Sequence, residues 1–200
     1  MALTYDCYVR VYVKCDSNGN IIEDYNDDSD DLHGHFDVQI NKPDGDKLGL
    51  KHSKTVFSYG YRETDSVAQK GTLRVFNDSK TGQAMTPGYP YRLYYWHFQA
   101  SESQVANFKT KLANWISSTT HTKTYYTWYD VTNSTFKIYN IETANCFRAA
   151  AYFTSWLGND KLMSIYNDYK DWDKGYRNYF AWRMWVKYQQ HWTGGKLYNG

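Results

Sequence analysis

At 200 residues, with 42% apolar and 22% charged side chains, the chain is sized for one domain that buries a core without disulfide or metal support. Its 23 basic and 21 acidic side chains leave a net charge of +2, too little to supply a global field for nucleic acid or an anionic membrane. No stretch of about 18 apolar residues reads as a bilayer span, and the amino end lacks the basic start and apolar run of a signal peptide.

Residues 4–15 alternate, with Tyr5, Cys7, Val9, Val11 and Val13 against Tyr8, Arg10, Tyr12 and Lys14, the period of a half-buried strand. Cys7 and Cys15 lie on it as ordinary half-buried thiols, too far apart along one strand to bridge. With Cys146 the cysteine count is three, which is no disulfide framework, and no pair has zinc-like spacing. Asp16-Ser17-Asn18-Gly19-Asn20 is a turn, and Ile21-Ile22 begins a return. Residues 23–31 carry six carboxylates in nine positions, a solvated loop that lacks the central glycine of an EF-hand.

The next strand is His35 to Asn41, closed by the hairpin-type loop Lys42-Pro43-Asp44-Gly45-Asp46-Lys47. Strands follow at Thr55–Tyr59, Gly71–Phe76 and Tyr91–Phe98, with 77–88 as loop. Ser101-Glu102-Ser103-Gln104 is a capping box opening a helix that puts Val105, Phe108, Leu112, Trp115 and Ile116 on one face. Residues 117–134 read as a polar linker with an aromatic patch at Tyr125–Tyr129. A second helix, capped by Thr143 and ending at Gly158, carries Cys146 and a stripe of Phe147, Ala150, Ala151 and Thr154. Residues 160–192 are expected to be helical, broken at Gly175, and Gly194-Gly195 to begin a frayed tail.

Cys146 and His35 are the chemistry-bearing residues. A thiol in the first turn of a helix meets free backbone N–H groups and the positive end of the dipole, which favour thiolate. The Cys146 amide is also placed to donate to a developing oxyanion. Position alone makes Cys146 a small buried hydrophobe first. His35 adds the missing base: it opens a strand after Gly34, and Asp37 and Gln39 share its face while Phe36, Val38 and Ile40 take the other. Its plainer reading is a solvent-facing strand histidine, and His33 competes for its role.

The order Gly34-His35 strand, Phe57-Ser58-Tyr59-Gly60 strand, capped helix from Ser101, Tyr139 to Asn145-Cys146, helix and Gly158 resembles the circularly permuted papain-like hydrolases of the NlpC superfamily. The resemblance covers residues 34–158 and implies an α+β fold in which an antiparallel sheet packs on the nucleophile-bearing helix. Residues 159–200 would then be a helical, aromatic-rich extension of a single catalytic domain, 1–200. It further implies Cys146 as nucleophile, His35 as base and a third polar residue on the following strand, either Ser58 or His52. No cofactor or metal is implied.

What the resemblance implies for function is a cysteine peptidase or amidase acting on peptidoglycan stem peptides. A bacterial product of this kind without a signal peptide is expected to be made in the cytoplasm and injected into a target periplasm, as type VI secretion effectors are. Its producer would carry an immunity protein. Two other readings stay open. The same site can serve an acyltransferase, thioesterase or protein amidase, with Trp172, Trp182, Trp185 and Trp192 either lining an acyl pocket or forming plain core. Alternatively, the 21 Tyr, 8 Trp and 9 Phe make a glycan-binding module with an inert thiol. No phosphate loop, serine-hydrolase elbow or zincin helix offers another chemistry.

Overall fold

The computed structural model describes residues 3–21, 35–61, 70–78, 90–123, 126–140, 143–169 and 192–198. His33, Gly34, the acidic stretch 23–31, Gly175, Trp172, Trp182 and Trp185 lie outside the described residues. Within the described residues the fold is α+β, an eight-stranded antiparallel sheet with three helices.

The strands are β1 (Thr4–Lys14), β2 (His35–Asn41), β3 (Lys54–Tyr61), β4 (Gly71–Asn77), β5 (Tyr91–Ser101), β6 (His121–Thr122), β7 (Tyr126–Asp130) and β8 (Thr193–Tyr198). They lie side by side in the order β6-β7-β4-β3-β2-β1-β5-β8. The first four form a meander, after which β5 returns to pair with β1 along its whole length. The helices are α1 (Glu102–Trp115), α2 (Cys146–Trp156) and α3 (Lys161–Tyr169).

Alternation in the strands separates two faces. Cys7, Val9, Val11 and Val13 of β1 and Phe36, Val38 and Ile40 of β2 join the main core, with Phe57 and Tyr59 of β3. Helix α1 lays Val105, Phe108, Leu112 and Trp115 onto that face, Phe108 meeting Phe57 edge-on at 4.9 Å. Its capping box forms as expected: Ser101 Oγ accepts from the Gln104 amide, and Gln104 Oε1 accepts from the Ser101 amide. Helix α2 buries Phe147, Ala149, Ala150, Ala151 and Phe153, and the three alanines keep its axis close to the sheet.

The second face of β1 and β2 is not the half-exposed surface that alternation suggests. Arg10, Tyr12, Asp37 and Gln39 are all buried there. Arg10 Nε donates to Asp37 Oδ1 at 2.6 Å and Nη2 to Asp37 Oδ2 at 2.9 Å, and Tyr12 and Asp78 complete its shell. A buried charge has to be paired in this way, because an isolated ion in a dry interior is prohibitively costly.

Two expectations fail locally. The segment 117–134 is not linker: β7 pairs with β4, and β6 pairs with β7. Gly194 and Gly195 do not begin a frayed tail but lie inside β8, paired with β5. Both have positive φ, and a Cβ on Gly195 would lie 2.7 Å from the Tyr94 ring, so these glycines let the edge strand bulge across a tyrosine pair. Of the expected helical stretch 160–192, Lys161–Tyr169 is helix and 170–191 lie outside the described residues.

Gly71 serves a different need. A Cβ there would fall 1.9 Å from the Phe136 carbonyl oxygen, and the Gly71 amide donates to the Lys137 carbonyl at 2.9 Å. The strap 133–140, which leads into α2, thus rides directly on β4. Gly71→Ala should lower the urea unfolding free energy by about 2 kcal/mol through overpacking. A midpoint equal to wild type would show that the strap is loosely held.

Candidate active site at the start of the second helix

The chain enters α2 through a turn in which the Thr143 amide donates to Asn140 Oδ1 and the Ala144 amide to the Asn140 carbonyl. Thr143 therefore belongs to this turn and is not the cap expected from sequence. The cap is Asn145, extended at φ −108° and ψ 175°, whose side chain accepts from the Arg148 amide at 2.9 Å. A cap has to bond the amide three residues on, and Asn145 has that spacing to Arg148 in the helix as it starts. Cys146 is accordingly the first helical residue, with its own N–H among the unpaired ones.

Phe147 anchors this helix end by packing on Phe36 of β2, ring centroids 4.9 Å apart. The β2–β3 ladder runs only from Val38–Phe57 to Asn41–Lys54. His35 and Phe36 lie beyond its end, still paired to Tyr12 and Val11 of β1. The start of α2 sits against this unpaired corner. The amides of Phe36, Phe147 and Cys146 all act on the sulfur in favour of thiolate.

Burial outweighs them. The Cys146 thiol is pushed up to about 11, with Asp37 adding to the rise and the three amides opposing it. This reverses the sign expected from a helix start alone: dehydration of the sulfur costs the anion more than the nearby N–H groups return. His35 is shifted the other way, down to about 4, chiefly by burial, with Arg74 and Arg10 opposing its charge and Asp37 favouring it. At neutral pH the structure holds a neutral thiol and a neutral imidazole.

The His35 ring lies on the second face of the sheet, against Tyr12, and its Nε2 is 2.7 Å from Ser58 Oγ. Ser58 of β3 thus partners His35. His52, the other third-member alternative, lies in the β2–β3 connection, where its amide bonds Thr55 Oγ1. That places it at the opposite end of β2, roughly 20 Å along a seven-residue strand. Sequence spacing alone leaves both open; the register, with Ser58 beyond the ladder on the His35 face, separates them. No hydrogen bond joins the Cys146 sulfur to the His35 ring among the described residues; the sulfur meets the strand at the next residue, Phe36.

Tyr59 was not singled out by sequence. It is buried at this corner between Trp115, Phe136 and Tyr139, donates to the Phe136 carbonyl at 2.9 Å, and lies close enough to Cys146 for a thiolate there to oppose its ionisation. Its place in an aromatic β-strand gave no sign of that role. Among the described residues no group of three or more His, Cys, Asp or Glu could hold a metal, and no helix is long and apolar enough to cross a membrane. Cys7 and Cys15 are buried and free.

The His35 shift has a stability consequence of definite sign. The unfolded imidazole takes up its proton near 6.5 and the folded one near 4. Stability from this group is therefore full above pH 6.5 and is lost as pH falls through that window. The difference in unfolding free energy between wild type and His35→Gln should shrink from pH 7 to pH 4. A difference independent of pH would mean that the ring stays accessible to protons when folded.

Comparison of the chain with protein-family profiles, with curated proteins and with solved structures gives no match.

Proposed function

We propose that the protein is a cysteine hydrolase of the permuted papain-like kind, with Cys146 as nucleophile, His35 as general base and Ser58 orienting the imidazole. The observations that support this reading are the His35 Nε2–Ser58 Oγ contact and the packing of the start of α2 on the same end of β2, with the imidazole on one face of the sheet and the helix on the other.

The neutral state of both groups suits a general-base route rather than a preformed ion pair. With Nε2–H donated to Ser58, Nδ1 carries the lone pair and takes the thiol proton as sulfur attacks the substrate carbonyl. The Cys146 amide is the donor assigned here to the oxyanion. Collapse expels the amine, which receives the proton from His35, and leaves a thioester on Cys146. Water, deprotonated by His35, releases the acid and restores the thiol. For this transfer the sulfur and the imidazole, which lie on opposite faces of the sheet at the end of β2, have to meet around its open edge when substrate binds.

The proposed substrate is an amide bond in a peptidoglycan stem peptide, and the proposed setting is an antibacterial effector with an immunity protein. The raised thiol favours a competing reading, in which Cys146 is packing within a glycan-binding module. Purified protein should release peptides from isolated sacculi, with Cys146→Ala and His35→Ala each lowering the rate at least about a thousandfold and Ser58→Ala about tenfold or more. Release unchanged in both of the first two variants would end the hydrolase reading. Site-resolved alkylation of Cys146 in the free protein should inflect near 11, above the ordinary thiol value of about 8.5. An inflection at or below that value would show the sulfur to be hydrated or ion-paired.

A further inference from the structure

The turn after β1 carries an Asn-Gly pair, Asn18-Gly19, and Asp16 organises it. The Asp16 amide donates to the Asn20 carbonyl at 2.8 Å, and the Asp16 carbonyl accepts from the Gly19 amide at 3.0 Å. The Asp16 carboxylate accepts from the amides of Asn18 and Asn20, at 2.9 and 2.8 Å, and from Asn20 Nδ2 at 3.1 Å. Arg92 of β5 fastens this turn to the edge of the sheet. Its Nε donates to the Gly19 carbonyl at 3.0 Å and its Nη1 to the Gly195 carbonyl of β8 at 2.8 Å. Leu197 of β8 closes on the same residue, since a Cβ on Gly19 would lie 2.7 Å from its Cδ2. Gly19 is buried beneath these contacts, while Asn18 is exposed.

We propose that Asn18 is a site of spontaneous deamidation, slowed by this clamp, and that its conversion unfastens the turn from β8. The substrate is the chain itself and the co-reactant is water. The Gly19 nitrogen loses its proton to solvent base and bonds Asn18 Cγ. The Cγ–Nδ2 bond breaks and ammonia leaves, closing a five-membered succinimide. Water then adds to one of the two imide carbonyls. Opening at Cγ gives aspartate, and opening at the α-carbonyl gives isoaspartate, in which the chain runs on through Cβ. Nothing is oxidised or reduced.

A glycine after the asparagine favours attack, because no Cβ crowds the nitrogen. The native turn opposes it, because that N–H is bonded to the Asp16 carbonyl and the Gly19 carbonyl is bonded to Arg92. Reaction therefore proceeds from the opened turn, at a rate set by how often the turn opens. Isoaspartate lengthens the backbone by one carbon and adds a negative charge, which displaces the Gly19 carbonyl from Arg92 and the turn from Leu197.

The test follows the amide-to-acid mass gain at Asn18 by tandem mass spectrometry, in the whole protein and in a synthetic peptide of residues 14–22, at mildly alkaline pH. The folded protein should convert at least about tenfold more slowly than the peptide. Asp16→Ala, which strips the carboxylate from two amides, and Arg92→Gln, which removes the anchor, should each raise the rate in the protein by about fivefold or more. Asp16→Asn keeps an acceptor at Oδ1 and should restore most of the protection. Hydrogen exchange at the β8 amides should quicken in converted protein and stay at its starting rate in Asn18→Gln treated alike. A protein that converts as fast as the peptide, or variants no faster than wild type, overturns the clamped site. Unchanged β8 exchange after conversion overturns the link to the edge strand.

Discussion

The ion pair between Arg10 and Asp37 is the constraint around which the rest is arranged. It joins the two central strands, β1 and β2, on the face away from the helices, and both charges are fully buried. Removing either partner would strand the other, a loss of about 3–5 kcal/mol. The pair therefore holds register at a place where a slip of one residue would turn every core side chain outward. It also stands two residues from His35, so the same charges that lock the strands set the field at the imidazole.

Burial, with that field as the smaller influence, explains why the candidate site is electrically quiet. The helix start offers amides to the Cys146 sulfur, yet dehydration and the Asp37 charge push the thiol towards its neutral form. Dehydration, aided by Arg74 and Arg10, does the same to His35. Neutral groups cost less to bury than charged ones, so neither side chain destabilises the packing around it.

Packing ties the site to the remainder of the molecule through aromatic rings. Phe36 meets Phe147 at the start of α2, Tyr59 meets Trp115 and Phe136 nearby, and Trp115 reaches Phe153 and Trp156 of α2. The tyrosine-rich composition thus has a structural use, since a ring can fill core while its hydroxyl satisfies a strap carbonyl, as Tyr59 does for Phe136. The close approach of that strap to β4 depends on the missing side chain at Gly71.

Local signals were sufficient for much of this. Alternation along β1 and β2, the Ser101–Gln104 capping box and the apolar stripe of α1 are short-range patterns, and short-range physics determines them. The pairing of Cys146 with His35 as candidates came from helix and strand starts, which are also local. Only the tertiary structure decided that Ser58 and not His52 partners the histidine, because strand register is a contact between distant segments. Only it decided that Arg10 is buried and that β7 and β8 are strands rather than linker and tail. Burial is a property of what lies opposite in space, so the signs of the shifts at Cys146 and His35 followed from packing and not from their neighbours in the chain.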